Sequence, residues 1–97
     1  MKIVINRCYG GFELSPVAQA RFAEITGRWL NEFGYDAADH HVERDDIALV
    51  RVVEELDAKA STELSELAVV EIPDNVEWWI EDYDGAETIH EAHRVWG

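Results

Sequence analysis

Ile3-Val4-Ile5 is a short run of β-branched residues and predicts a first strand. Cys8-Tyr9-Gly10-Gly11-Phe12 ends it, because paired glycines punctuate a chain. Ser15-Pro16 then opens a helix: serine suits the N-cap, and proline suits the first turn, where its missing N–H is not needed. Val17, Ala18, Phe22, Ile25, Trp29 and Phe33 follow at spacings near three and four, one continuous apolar stripe. The stripe predicts a helix running to Phe33 and capped by Gly34. The polar stretch from Tyr35 to Arg44, with His40 beside His41, reads as a solvated loop. Asp45 or Asp46 is placed to cap a second helix in which Leu49, Val53, Leu56 and Ala60 recur at helical spacing. Val50, Val52 and Val53 would also suit a buried strand. The helix formers from Glu54 to Ala60 favour the helix.

After a break at residues 61–65 the period changes to two. Leu67 to Ile72 reads as a strand ended by the turn signal Pro73-Asp74-Asn75. Val76, Trp78 and Ile80 alternate with Glu77, Trp79 and Glu81, and Asp84-Gly85 suits a tight hairpin turn. A two-residue loop there would pair Ile80 with Ile89, Trp79 with His90 and Glu81 with Thr88. A C-terminal helix through Ile89, Ala92, His93 and Trp96 is the rival reading of the last segment. The order β–α–α–β–β–β predicts one α+β domain over residues 1–97: a small, mostly antiparallel sheet with two helices packed on one face.

Charge adds the next constraint. The chain has 97 residues and a formal net charge of −13. Residues 1–48 carry eight acids and five bases, whereas residues 49–97 carry thirteen acids and three bases. Such a surface repels nucleic acid and anionic membranes and attracts basic protein surfaces. It also keeps a small protein dissolved, which is a sufficient role by itself. Four Trp, three Tyr and three Phe argue for a folded globule over a disordered acidic tail. There is no apolar run long enough to span a membrane, and the N-terminal segment does not read as a signal peptide. One cysteine, Cys8, forms no internal disulfide and points to a reducing compartment.

Chemistry-bearing residues are few. Cys8 follows the first strand, a suitable place for a nucleophile, but no local catalytic signature surrounds it, and a small buried cysteine at a strand end is the simpler reading. Gly10-Gly11 lies before a helix, yet it matches neither G-x-G-x-x-G nor G-x-x-x-x-G-K-[ST], so it reads as a turn. Glu87, His90, Glu91 and His93 are metal-ligand types without a metal-site spacing. No cofactor, metal or catalytic residue is therefore expected. On a strand, Trp78 and Trp79 face opposite ways, so one joins the core and the other stands beside Glu77 and Glu81, either as an interface anchor or covered by a helix or by the C-terminal Val95-Trp96. The acids Glu71, Asp74, Glu77, Glu81, Asp82, Asp84, Glu87 and Glu91, extended by Glu54, Glu55 and Asp57, form the candidate partner-binding surface. Same-face residues on a strand are roughly 6.6–6.8 Å apart, and phosphates lie about 3.4 Å apart along each DNA strand. A carboxylate row would thus crudely imitate a phosphate track.

The segments Ile5-Asn6-Arg7-Cys8-Tyr9-Gly10-Gly11-Phe12-Glu13-Leu14-Ser15, Val53-Glu54-Glu55-Leu56, Val70-Glu71-Ile72-Pro73-Asp74, Trp78, Ile80-Glu81-Asp82-Tyr83-Asp84-Gly85 and His93-Arg94-Val95-Trp96 span most of the chain. Through them the sequence resembles a family of small, mostly uncharacterised acidic phage and prophage proteins. The resemblance transfers no catalytic assignment. It implies a phage-encoded protein in a bacterial cytoplasm, where small acidic proteins often inhibit host systems, as anti-CRISPR proteins and DNA mimics do. The expected function is binding without catalysis: the acidic surface and a Trp anchor would occupy the basic surface of a host protein or nucleoprotein complex. No direct nucleic-acid contact is expected. Two alternatives stay open: a ligand-binding domain or thiol enzyme built on the Cys8–Gly11 loop, and a phage assembly protein that forms a homodimer.

Overall fold

The computed structural model describes residues 1–92 and the backbone of 94–96. In chain order the elements are β1 (Lys2–Asn6), α1 (Pro16–Thr26), α2 (Ile47–Leu56) with a 3-10 turn at Asp57–Ala60, β2 (Leu67–Glu71), β3 (Trp78–Tyr83), β4 (Ala86–Glu91) and β5 (Arg94–Trp96). The α+β class and the antiparallel pairing hold. The strands divide into two small sheets, one of β1 with β2 and one of β3, β4 and β5.

Strand alternation explains how they stack. In the antiparallel register Val4 lies opposite Val69 and Ile3 opposite Val70. Val4, Leu67 and Val69 pack with Leu14, Phe22, Leu49 and Val52 of the helical side. Ile3, Ile5, Val70 and Ile72 pack on the opposite face with Ile89, Trp78 and Ile80 of the hairpin. The β1–β2 ribbon is thus the middle layer, apolar on both faces, between the helices and the β3–β4–β5 sheet. That is why Ile3-Val4-Ile5 is an unbroken apolar run.

Both helix starts are as expected. The Ser15 hydroxyl accepts the Ala18 N–H at 3.1 Å and donates to the Lys59 carbonyl at 2.6 Å, which ties the start of α1 to the end of the 3-10 turn. Asp46, not Asp45, caps α2 by accepting the Leu49 N–H at 3.0 Å. The end of the first helix is corrected. It stops at Thr26 because Gly27 takes φ +74° and returns its N–H to the Ala23 carbonyl. Leu30 is buried beyond this stop, whereas Trp29 and Phe33 are exposed loop residues and not part of a helical stripe.

The hairpin register is as predicted: Ile80 opposite Ile89, Trp79 opposite His90, Glu81 opposite Thr88. Asp84 and Gly85 both have positive φ, at 51° and 93°, as a type I′ two-residue turn requires. The strand begins at Trp78, two residues later than the alternation from Val76 suggests. The rival C-terminal helix is ruled out over 86–91 and 94–96, which are strand, while His93 lies outside the described residues. Among the described residues no helix is long and apolar enough to cross a membrane.

Candidate functional site

The predicted acidic residues fall into groups that differ in partnership. The helical group is largely neutralised. Lys2 donates to Glu54 at 2.8 Å, and Glu55 receives Arg21 at 2.9 Å and Arg51 at 3.0 Å. Hydrogen bonds from Arg21 and Arg51 hold the Glu55 carboxyl at about 2, below its ordinary 4.5. Asp57 is exposed at the start of the 3-10 turn, in a positive-φ conformation. Glu71 lies opposite Lys2 in the β1–β2 register. Asp74 accepts the N-terminal ammonium at 2.6 Å, which lowers its pKa.

Glu87 is removed from the candidate surface. Its side chain is only 4% exposed, and it receives Arg44 through both guanidinium nitrogens, at 2.6 and 2.8 Å. It also accepts the backbone N–H of Asn6 at 2.8 Å. The reason is strand parity: Asp82, Glu87, Glu91, Trp78 and Ile80 share the inner face of the hairpin, and Glu87 meets the edge of β1 there. Glu91 is half-buried on the same face. Trp78 is likewise half-buried against the inner apolar cluster, so it is the core tryptophan of the pair.

Trp79 is the outward one, 43% exposed. Its ring stacks on His90 at 6.0 Å, and its Nε1–H donates to Glu81 at 3.3 Å. His90 Nε2 lies 2.9 Å from the Thr88 hydroxyl and 3.4 Å from Glu81. Tyr83, 73% exposed, continues the same face. The outer face of β3 therefore reads Trp79, Glu81, Tyr83, with Glu77 just before it. Aromatic rings interrupt the carboxylates, so among the described residues this face of β3 carries no continuous carboxylate row. Asp82 and Asp84 are exposed at the hairpin end, where Asp82 accepts the Gly85 N–H at 2.7 Å. Among the described residues no lysine or arginine pairs with Glu77, Glu81, Asp82 or Asp84, in contrast to the acids of α2. The side chains of Val95 and Trp96 lie outside the described residues.

The Cys8–Gly11 loop is built as a joint. Asn6 Nδ2 donates to the Cys8 carbonyl at 2.7 Å and the Gly85 carbonyl at 2.6 Å, while its Oδ1 accepts the Cys8 N–H at 3.3 Å and the Glu66 N–H at 2.7 Å. One buried amide thus links the loop, β2 and the hairpin turn, with every donor and acceptor used. A Cβ on Gly10 would stand 1.9 Å from the Leu64 carbonyl oxygen, and one on Gly85 would stand 2.5 Å from Gly11 N. The glycines are required by close backbone approach. Among the described residues no histidine hydrogen-bonds the Cys8 thiol, and no group of metal-ligand side chains is gathered.

Sequence reasoning missed an open cleft of about 550 Å³ beside this joint, lined by Phe12, Phe33, Tyr35, His41, Arg44 and Asp82 among others. His41 is not a solvated loop residue. It stands edge-on between Phe12 at 5.2 Å and Tyr35 at 4.8 Å, and its Nδ1 donates to the Val42 carbonyl at 2.8 Å. Arg44 lies 4.0 Å over the Phe12 ring. No periodic signal marks these residues, because they come from loops. No protein-family model matches the chain, and no curated protein or solved structure matches it.

Proposed function

We propose that this protein is a non-catalytic binding module whose hairpin docks on a basic surface of a protein or nucleoprotein complex. The observation that carries this reading is the contrast in charge pairing. The exposed acids of α2 are occupied by Lys2, Arg21 and Arg51, whereas Glu77 and Glu81 flank exposed Trp79 and Tyr83, and Asp82 and Asp84 stand at the hairpin end, without a lysine or arginine partner among the described residues. Carboxylates not held by a lysine or arginine speed encounter with a cationic surface, and the two rings supply the apolar area that charge does not. In the phage or prophage setting implied by the sequence resemblance, the target is a host nucleic-acid-binding complex, such as a CRISPR effector. The effect is inhibition, by competition with nucleic acid for the same basic groups.

The test is capture from a bacterial lysate at low salt, with elution by rising salt and separately by duplex DNA. A nucleic-acid-binding complex released by both, and lost with Glu77→Lys/Glu81→Lys while Glu54→Lys still captures it, is the expected result. If the hairpin double variant captures the same complex with the same salt dependence, the hairpin is not the site.

A further inference from the structure

We infer that β3 is a docking edge that accepts an extended, basic segment of the partner as an added strand. This rests on the binding reading above and names how the hairpin would engage. In a hairpin with a two-residue loop the residues flanking the loop exchange hydrogen bonds, and the pattern alternates from there. Tyr83–Ala86, Glu81–Thr88 and Trp79–His90 are then the bonded pairs. The backbone N–H and C=O groups of Trp78, Ile80 and Asp82 point away from β4. The sheet order β3–β4–β5 leaves β3 at an edge, and no backbone or side-chain partner meets those groups among the described residues.

The edges of β1 and β2 are closed in part. Along β1 the Val4 N–H donates to the Arg44 carbonyl at 2.8 Å, and the Asn6 N–H to Glu87. At β2 the Leu67 N–H donates to the Ser61 hydroxyl at 2.9 Å. β3 by contrast has an open ladder at three alternate residues, Trp78, Ile80 and Asp82, a template for strand addition.

Charge selects the occupant. Glu77, Glu81, Asp82 and Asp84 lie along or beside this edge with no lysine or arginine partner among the described residues, and two copies of a chain of charge −13 repel each other. An added strand would bond to the even-numbered residues, which leaves Glu81 in a non-bonded pair, where facing side chains approach most closely. A lysine or arginine fits opposite Glu81, and a cation or an apolar side chain fits beside Trp79 and Tyr83.

The experiment uses the full chain, labelled with 15N, and two capped peptides of equal length and charge. One has five Lys-Thr repeats; the other has five Lys-Pro repeats, whose prolines lack the N–H that a ladder needs. The Lys-Thr peptide should bind at least about tenfold more tightly, because a strand ladder adds several backbone hydrogen bonds. It should also slow amide exchange at Trp78, Ile80 and Asp82, leaving Trp79, Glu81 and Tyr83, already bonded to β4, unchanged. Asp82→Pro should abolish that preference, and Asp82→Asn, which keeps the N–H and the acceptor for Gly85, should retain it. Equal binding of the two peptides without alternating protection overturns the edge proposal and leaves the acidic-surface reading standing. If neither peptide binds, both fail. Protection of the three even-numbered amides in peptide-free protein, lost on dilution, overturns the proposal in favour of a second copy at the edge. The wild-type comparison stands even if Asp82→Pro does not fold.

Discussion

Arg44 and Glu87, 43 residues apart in sequence, meet as a bidentate ion pair with side chains 16% and 4% exposed. The pair joins the segment before α2 to the hairpin, and Arg44 also donates to the Val4 carbonyl at 3.3 Å. Removing one member of a buried pair strands the other charge. Arg44→Met should therefore cost about 3–5 kcal/mol in urea unfolding. Glu87→Gln, which keeps an acceptor for the Asn6 N–H, should cost less, about 1–3 kcal/mol. Replacing both by apolar residues should recover only part of the loss, because the buried Asn6 N–H would be left without a partner. A double-variant cost equal to the sum of the two single costs would mean that the pair carries no coupling.

Gly27 and Gly85 both have positive φ, but their surroundings differ. Nothing lies within 4 Å of a Cβ on Gly27, whereas one on Gly85 meets Gly11 N and the Tyr9 carbonyl oxygen at 2.5 Å. Gly27→Ala should cost about 1 kcal/mol, the conformational strain alone. Gly85→Ala should add roughly 1–3 kcal/mol of overpacking. Thermal melts of the two variants would show the difference. If they melt together, the close approach of the Cys8–Gly11 loop to the hairpin is wrong.

Glu55 sets an acid-side prediction. Arg21 and Arg51 hold its carboxyl at about 2 in the folded chain, against an ordinary 4.5. A depressed folded-state pKa contributes stability above the unfolded value and loses it as pH falls through the folded one. The contribution is therefore complete above about pH 5 and disappears between about 4.5 and 2. Glu55→Gln should flatten the pH dependence of stability in that window and leave partner capture intact. An unchanged acid limb in the variant would mean that the two arginines do not act on this carboxyl in solution.

Single neutralisations should separate the two groups of acids. Glu81→Gln removes a carboxylate of the hairpin face and should weaken binding to a basic partner by ~0.2–1 kcal/mol while lowering its salt dependence. Glu54→Gln only frees Lys2 and should leave binding within error. Isothermal titration at two salt concentrations would compare them. The reverse order would move the site to α2.

Legibility in the sequence follows the range of the interaction involved. The caps at Ser15 and Asp46, the turn at Asp84-Gly85 and the register from Trp79 to Thr88 depend on neighbours within a few residues, and all were readable. The first helix was overextended because Trp29 and Phe33 continue its period by chance, while Gly27 at φ +74° had already ended it. Gly27 was the available signal, and the apolar spacing outweighed it. The cleft lined by Phe12, Phe33, Tyr35 and His41 left no signal, since loop residues meet there without a period.

The sequence alone determined the local elements, the α+β class and the acidic second half, because propensity, capping and net charge are properties of the chain itself. Only the tertiary structure decided which acids an arginine or lysine neutralises. Glu87 and Glu81 are the same residue type six positions apart, and nothing local separates them. Strand parity places Glu87 on the inner face against Arg44 and Glu81 on the outer face beside Trp79. The arginine that neutralises one of them arrives from 43 residues away, a contact that exists only once the chain has folded.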